Sequence, residues 1–359
     1  MMLMAPVRPQ GEQKRMLDVT IVMFDDGVSS AAVMPTEILF AAGRLWNLVH
    51  DIPDQSRFNV RTVSIDGKAV RSPYGLALQP EASIDQIDRT DVIIVPTSGL
   101  DLDQKLVENA ALLPWLRRHH AAGAYVVGVC MGSAYLAAAG LLDGRMATTH
   151  WAMADDFARR FPKVLWHPEL FVTEDKRTMC SGGVGSAIDI SLYLVEKFCG
   201  HEIALRTAKV LLLPMPRLHQ SGYAVLPVSK AHDNARIREA EAFLQANFRE
   251  EIATQALAAR VNMTERTFAR QFKAATGKLP AGYLQAVRIE AAKVILENGS
   301  DPIQSIAGAV GYCDLAFFRT LFKRATGMTP AQYRAAFAPI RVIGQSVPGE
   351  NVLQAFLPA

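Results

Sequence analysis

One segment of this chain is written twice. RTFARQFKAATGKLPAGY (266–283) returns fifty residues later as AFFRTLFKRATGMTPAQY (316–333), with nine of eighteen positions identical. Phe268, Phe272, Lys273, Ala275, Thr276, Gly277, Pro280, Ala281 and Tyr283 recur as Phe318, Phe322, Lys323, Ala325, Thr326, Gly327, Pro330, Ala331 and Tyr333. Composition does not produce such a match. Two copies are too few for a solenoid, which needs stacked neighbours to bury its faces, so the chain holds a duplicated module. The period inside each copy is helical: the two phenylalanines, four apart, share one face and belong to a core. Gly277 and Gly327 suit helix ends, and a proline follows each three residues on.

Each copy is preceded by a second, shorter helical pattern. LAARV (257–261) leads through Asn262-Met263 to Thr264, a good N-cap. Ile306–Val310 leads through Gly311-Tyr312 to Asp314. Both units therefore read as helix-turn-helix. Away from the phenylalanines, Arg266, Arg270 and Lys273 form a stripe, and Arg319 with Lys323 form one in the second copy. Thr264, Ala269, Ala316 and Thr320 complete the candidate DNA-contacting set. Arginine pairs bidentately with guanine O6 and N7, lysine suits phosphate, and the exposed N-terminal half of a helix fits the major groove. One charged stripe alone would be an ordinary solvated face. Two copies, each behind the right turn, favour a nucleic-acid partner. Charge agrees: residues 233–338 hold fourteen Lys and Arg against ten Asp and Glu, whereas the whole chain is only +3.

Residues 233–338 resemble the AraC/XylS-type DNA-binding domain, and GYCDLAFFRTLFKRATGMTPAQYR (311–334) is similar to that family's signature over its whole length. The resemblance implies two helix-turn-helix units joined by a long helix, here about 281–298, reading successive major-groove segments of double-stranded promoter DNA ~34 Å apart. The chain departs at Thr320, where the family often has arginine; its arginine is Arg319.

The first 213 residues have a different texture. Short β-branched runs at 17–24, 59–65, 92–96 and 124–129 alternate with helical patterns at 34–49, 104–121 and 132–141. Such alternation predicts an α/β fold with a largely parallel sheet. Strand-like pieces near 164–180 and helices over 186–199 and 202–213 follow. In VVGVCMGSAYLAAAG (126–140), a strand runs through Gly-x-Cys-x-Gly into a helix, the pattern of a nucleophile elbow. Gly99 and Met131 offer backbone N–H groups there. His150, twenty residues on, is a candidate partner for the Cys130 thiol, and Trp151 beside it is a candidate pocket wall or a core residue. Asp189, on the helix after SGGVG, is a weaker candidate. His119-His120 reads as a solvated helix end, and SGGVG is not a phosphate loop.

Residues 17–212 look like the DJ-1/PfpI domain of the class I glutamine amidotransferase-like superfamily, a flavodoxin-like sandwich. The run GVCMGSAYLAAAGLLDGRMATTHW (128–151) is close to that of GlxA-type regulators, which join this domain to an AraC-type one. The resemblance carries the elbow onto Cys130 and the histidine onto His150. Two features of the family are missing. Met131 stands where its proteases have histidine, and Ala31 stands where DJ-1-like members place an acid, with Glu37 out of register. A dyad without a third group lacks part of the usual activation.

The reading is thus a ligand-sensing and dimerising domain over 16–213, a linker over 214–232, a DNA-binding domain over 233–338 and a tail over 339–359. The expected effector pocket holds Gly99, Cys130, Met131, His150 and Trp151. The resemblance suggests a homodimeric activator responding to an amino acid or quaternary amine. No catalysis, cofactor or metal is expected. Four scattered cysteines give neither a disulfide framework nor a zinc site, the first fifteen residues lack a signal peptide's apolar core, and no apolar run would span a bilayer, so a cytoplasmic protein is expected. Two rivals remain: a cysteine-dependent hydrolase or hydratase of small nitrogen compounds, and an architectural DNA-binding protein with a vestigial dimerisation domain.

Overall fold

A computed structural model describes residues 15–224 and 232–338, and the chain divides into two compact units after Ala224. The tail over 339–359 lies outside the described residues.

The first unit is built on a seven-stranded sheet. In spatial order its strands are Val172–Asp175, Thr178–Ser181, Tyr125–Val129, Val92–Val95, Leu17–Val22, Phe58–Ser64 and Ala82–Ser83. All neighbours pair in parallel except the edge hairpin Val172–Asp175/Thr178–Ser181. The central strands are apolar without alternation because both faces are buried. Val92 and Ile94 point to one core, Ile93 and Val95 to the other. Ile38 and Leu39 of helix Ser30–Ala41 and Ile190 and Leu194 of helix Ser186–Cys199 fill the first core; Trp115, Leu116, Tyr135 and Leu136 fill the second. This is a three-layer sandwich, and the carboxyl ends of its parallel strands are where such folds place ligands. The helical pattern at 34–49 proves to be two helices, Ser30–Ala41 and Leu45–Val49. Between them Gly43, at φ 75°, lies so close to the Gln55 carbonyl that no side chain would fit.

Residues 214–224 do not behave as the linker expected from the sequence. Arg217 forms a two-pronged ion pair with Asp189, its Nη2 2.7 Å from Oδ2 and its Nε 3.2 Å from Oδ1, and its backbone N–H donates to Oδ1 at 2.7 Å. The guanidinium also lies 4.2 Å from the Phe171 ring centre. Gln220 is 1% exposed. The segment is held by polar side chains rather than by a periodic apolar face, and that is why its sequence reads as a linker. Residues 225–231 lie outside the described residues.

The second unit is helical, and its two halves repeat each other in detail. Helices Thr254–Arg260 and Glu265–Thr276 form the first helix-turn-helix, Ile303–Ala309 and Leu315–Thr326 the second. Helix Pro280–Asn298 joins them, sending Tyr283, Leu284 and Val287 into one core and Ile289, Ala292 and Leu296 into the other. Phe272 meets Tyr283 edge-on at 5.4 Å, and Phe322 meets Tyr333 in the same way at 5.4 Å. Both aromatic pairs sit where large rings bury most area and favour T-shaped contact. No helix of the described residues is long and apolar enough to cross a membrane.

Candidate functional sites

The second helices of the two helix-turn-helix units, the candidate recognition helices, are Glu265–Thr276 and Leu315–Thr326. Thr264 Oγ1 accepts the Thr267 N–H at 3.4 Å, and Asp314 Oδ1 accepts those of Ala316 at 2.8 Å and Phe317 at 3.1 Å, so both expected caps form. At the other end Gly277 and Gly327 share φ 76° and ψ −4°, a left-handed closure that any β-carbon would strain. Phe268, Phe272, Phe318 and Phe322 are fully buried. Thr264, Arg266, Arg270, Lys273, Ala316, Arg319, Thr320 and Lys323 are exposed, and Ala269 is half-buried. Among the described residues no ion pair engages Arg266, Arg270, Lys273, Arg319 or Lys323. Their charge is therefore available to a polyanion.

The two arginine stripes are not equivalent. With caps and closures fifty residues apart, Arg319 stands in the register of Ala269, and Thr320 in that of Arg270. One residue is about 100° around a helix. Phe317, which the sequence reading left out, is half exposed beside Ala316.

In the first unit, strand Tyr125–Val129 delivers Cys130 into a left-handed conformation, φ 56°. For a residue with a β-carbon this costs about 1–3 kcal/mol unless the surroundings fix it. They do: the Cys130 carbonyl accepts from Ser133 Oγ at 2.8 Å and Thr149 Oγ1 at 3.1 Å. The flanking glycines are required by close approach. A β-carbon on Gly132 would lie 1.9 Å from the Val95 carbonyl oxygen, and one on Gly128 2.6 Å from Ser133 Cα. The thiol is 4% exposed. Burial pushes its pKa up, with the nearby Thr97 hydroxyl and Met131 N–H pulling more weakly the other way. A thiol raised in this way stays protonated rather than serving as a ready nucleophile.

His150 does not join the thiol. Its Nδ1 accepts the Ala152 N–H at 3.1 Å, which leaves the proton of the neutral ring on Nε2. The edge of the ring bearing Nε2 faces Gly183, where a β-carbon would come within 2.9 Å of Cδ2. Burial lowers its pKa. Trp151 is half-buried, with its ring 5.3 Å from that of His150. Gly99, at φ 117°, packs on the Lys105 stem and the Asp26 carbonyl. Lys105 Nζ beneath it is paired with Asp26 at 2.8 Å and Glu108 at 2.7 Å. What lies beside the elbow is a narrow cleft of about 10 Å³, room for roughly one water, lined by Gly27, Ser29, Val70, Ser72, Pro96, Thr97 and apolar neighbours, with no charged side chain. Tyr74, on the hairpin over it, accepts the Ser29 N–H at 2.9 Å. Of the expected pocket residues, none lines this cleft: Cys130 and Met131 are buried in the first core, and His150 and Trp151 lie on the loop after Thr149, which bonds to the Cys130 carbonyl. Ser29, Ser72 and Thr97 went unseen because isolated hydroxyl residues carry no sequence pattern.

A DJ-1/PfpI family model matches residues 20–197, and a helix-turn-helix domain model matches 257–336. The HTH-type transcriptional regulator CdhR of Pseudomonas aeruginosa is 26% identical over 289 residues, 80% of this chain and 84% of its own length. The HTH-type transcriptional regulator GlxA of Rhizobium meliloti is 28% identical over 61% of this chain and 68% of its own. An isonitrile hydratase of Pseudomonas putida is 32% identical over 61% of this chain and 90% of its own.

The chain belongs to the AraC-type transcriptional regulators that carry a DJ-1/PfpI domain.

Within this regulator, Gln220 is the polar keystone of the segment leading out of the DJ-1/PfpI domain. Its Nε2 donates to the Thr149 carbonyl at 2.8 Å and the Leu170 carbonyl at 3.1 Å, and its Oε1 accepts the Trp151 N–H at 3.3 Å. Gly182 leaves room for it: a β-carbon there would collide with the amide at 2.8 Å. Thr149 in turn touches the Cys130 carbonyl. The elbow and the exit segment are therefore one hydrogen-bonded network.

Proposed function

We propose that the regulator is a homodimeric, sequence-specific activator whose DJ-1/PfpI domain binds a small metabolite without transforming it. The observation that carries the DNA-binding half is the duplicated, capped recognition helix with unpaired cations outside and buried phenylalanines behind. The effector half rests on the cleft beside Thr97 and the network that runs from Cys130 through Thr149 to Gln220. An effector held there alters the contacts of the exit segment, and that segment continues into the DNA-binding domain. Such a shift requires different affinity for two arrangements. The cleft's hydroxyls and apolar walls suit an uncharged or zwitterionic small molecule, and at about 10 Å³ the cleft has to widen to admit one. The missing carboxylate argues against a lone cation such as a quaternary amine. A cytoplasmic location follows from a chromosomal target.

The test is site selection by the full-length protein from random duplexes. The selected site should bind with a Kd of about 10⁻⁸–10⁻¹¹ M, at least about 10³-fold tighter than random DNA at the same salt. Binding that is equal on all sequences would instead favour an architectural role.

The match to an isonitrile hydratase supports a second reading, cysteine-dependent hydration of a small nitrogen compound. Against it stand the His150 ring, engaged with Ala152, and a thiol whose pKa is raised. Incubation with an alkyl isonitrile should return no formamide. Turnover that vanishes in Cys130→Ala would establish the enzyme.

A further inference from the structure

Because both recognition helices begin at a capped residue and end at a left-handed glycine fifty positions apart, their outward residues correspond one to one. The interiors are the same and the exteriors are not. Arg266 stands opposite Ala316, Thr267 opposite Phe317, and Arg270 opposite Thr320. Lys273 and Lys323 alone keep their chemistry on this face. The first helix thus presents two arginines four residues apart from its N-terminal half, and the second presents two small residues and a phenylalanine.

Phe317 is 50% exposed, and its ring leans on Tyr312 at 6.0 Å. Thr320 Oγ1 donates back to the Ala316 carbonyl at 3.0 Å, so its donor is already engaged and a partner meets its methyl and the oxygen's acceptor side. Exposed Arg319, Lys323 and Arg324 surround this apolar spot, so its partner is anionic around an apolar centre. Duplex DNA fits. The major groove carries one apolar group, the thymine C5-methyl, and Ala, the Thr methyl and Phe are the side chains that contact it. Arginine at the corresponding positions of the first helix suits guanine O6 and N7.

We propose that the second recognition helix reads thymine methyls through Ala316, Phe317 and Thr320, while the first reads guanine through Arg266 and Arg270. The operator then has two unlike elements, one carrying guanine and one carrying thymine. This rests on the DNA-binding reading above and adds which base each unit selects.

Base analogues test it on the full-length protein. After site selection, each thymine is replaced singly by deoxyuridine, which removes only the methyl, and each guanine by 7-deazaguanine, which removes N7. At one or more positions of one element, deoxyuridine should weaken the wild type by about fourfold, the contribution of one buried methyl. That loss should vanish in the Phe317→Ala/Thr320→Ser double variant, whose melting temperature reports that it is folded. In the other element 7-deazaguanine should weaken the wild type and be silent in Arg270→Ala. A selected site indifferent to every deoxyuridine, or a sensitivity that survives intact in the folded double variant, overturns the assignment. A pool in which no duplex is enriched sinks the DNA-binding reading itself, and this one with it.

Discussion

The recognition helices and the cysteine elbow are both places where a tight turn hands the chain to a helix, yet they face opposite ways. At the helices the turn is capped by Thr264 or Asp314, phenylalanines lock the inner face, and the cations stand in water. At the elbow the turn is forced by packing, the thiol is sealed behind Thr97, and the polar groups are engaged with one another. The first arrangement leaves charge free for a large external partner. The second keeps a potential nucleophile neutral and joins its backbone to the segment leaving the domain. The same local grammar therefore serves contact in one unit and structure in the other.

The comparison breaks most readily at its interior. Phe272→Ala empties a fully buried site and should cost about 3–5 kcal/mol, melting the first helix-turn-helix and abolishing binding to a selected duplex. Calorimetry that left this unit's transition unmoved would show that the aromatic core is not what fixes the helix. Arg217→Ala strands the buried Asp189 carboxylate and should destabilise the DJ-1/PfpI domain by about 3 kcal/mol. Proteolysis within residues 214–224 should accelerate in that variant, and unchanged cleavage would return the segment to linker status.

Surface changes should act on binding without touching stability. Arg270→Ala should cost about 1–3 kcal/mol on the selected site and relax preference at one base position. Lys273→Ala should weaken all duplexes alike and reduce the salt slope by about 1. If the two variants behaved identically on random DNA, Arg270 would be a phosphate contact.

The smallest effect expected is at His150. Its folded pKa lies below the ordinary 6.5 because of burial, so the folded state resists the proton more than the unfolded chain does. The associated stability is present above pH 6.5 and is lost as pH falls below it, when protonation also breaks the Ala152 N–H bond to Nδ1. His119 and His120 are not the solvated helix end expected, since His119 is buried against Trp115 and His120 half-buried; burial lowers both pKa values as well, so the quantity to measure is the difference between wild type and His150→Asn. Asparagine can still accept that N–H and does not titrate. Identical pH profiles for the two would remove His150 from the account.

How much of this was legible beforehand differs between the regions for a physical reason. The caps at Thr264 and Asp314, the glycine closures and the phenylalanine faces depend on residues within four positions of one another, and each was readable from spacing. Register was readable too: the fifty-residue repeat sets Thr320 against Arg270 and Arg319 against Ala269, and the capped ends keep that register in the helices. The elbow's turn was also readable, since Gly128 and Gly132 bracket Cys130. Its partners were not. Thr97 lies thirty-three residues before the thiol and Gln220 ninety after it, and neither sits in a periodic pattern.

The sequence by itself determined that this chain would carry a duplicated helix-turn-helix behind a mostly parallel α/β layer, because helix caps, strand runs and repeats are short-range facts. Only the tertiary structure decided that the His150 ring packs on Gly183 with its Nδ1 taken by Ala152 and that residues 214–224 close onto the domain they seemed to leave. Hydrogen bonds between polar groups distant along the chain form only once the sheet has brought them together, and no local spacing records them.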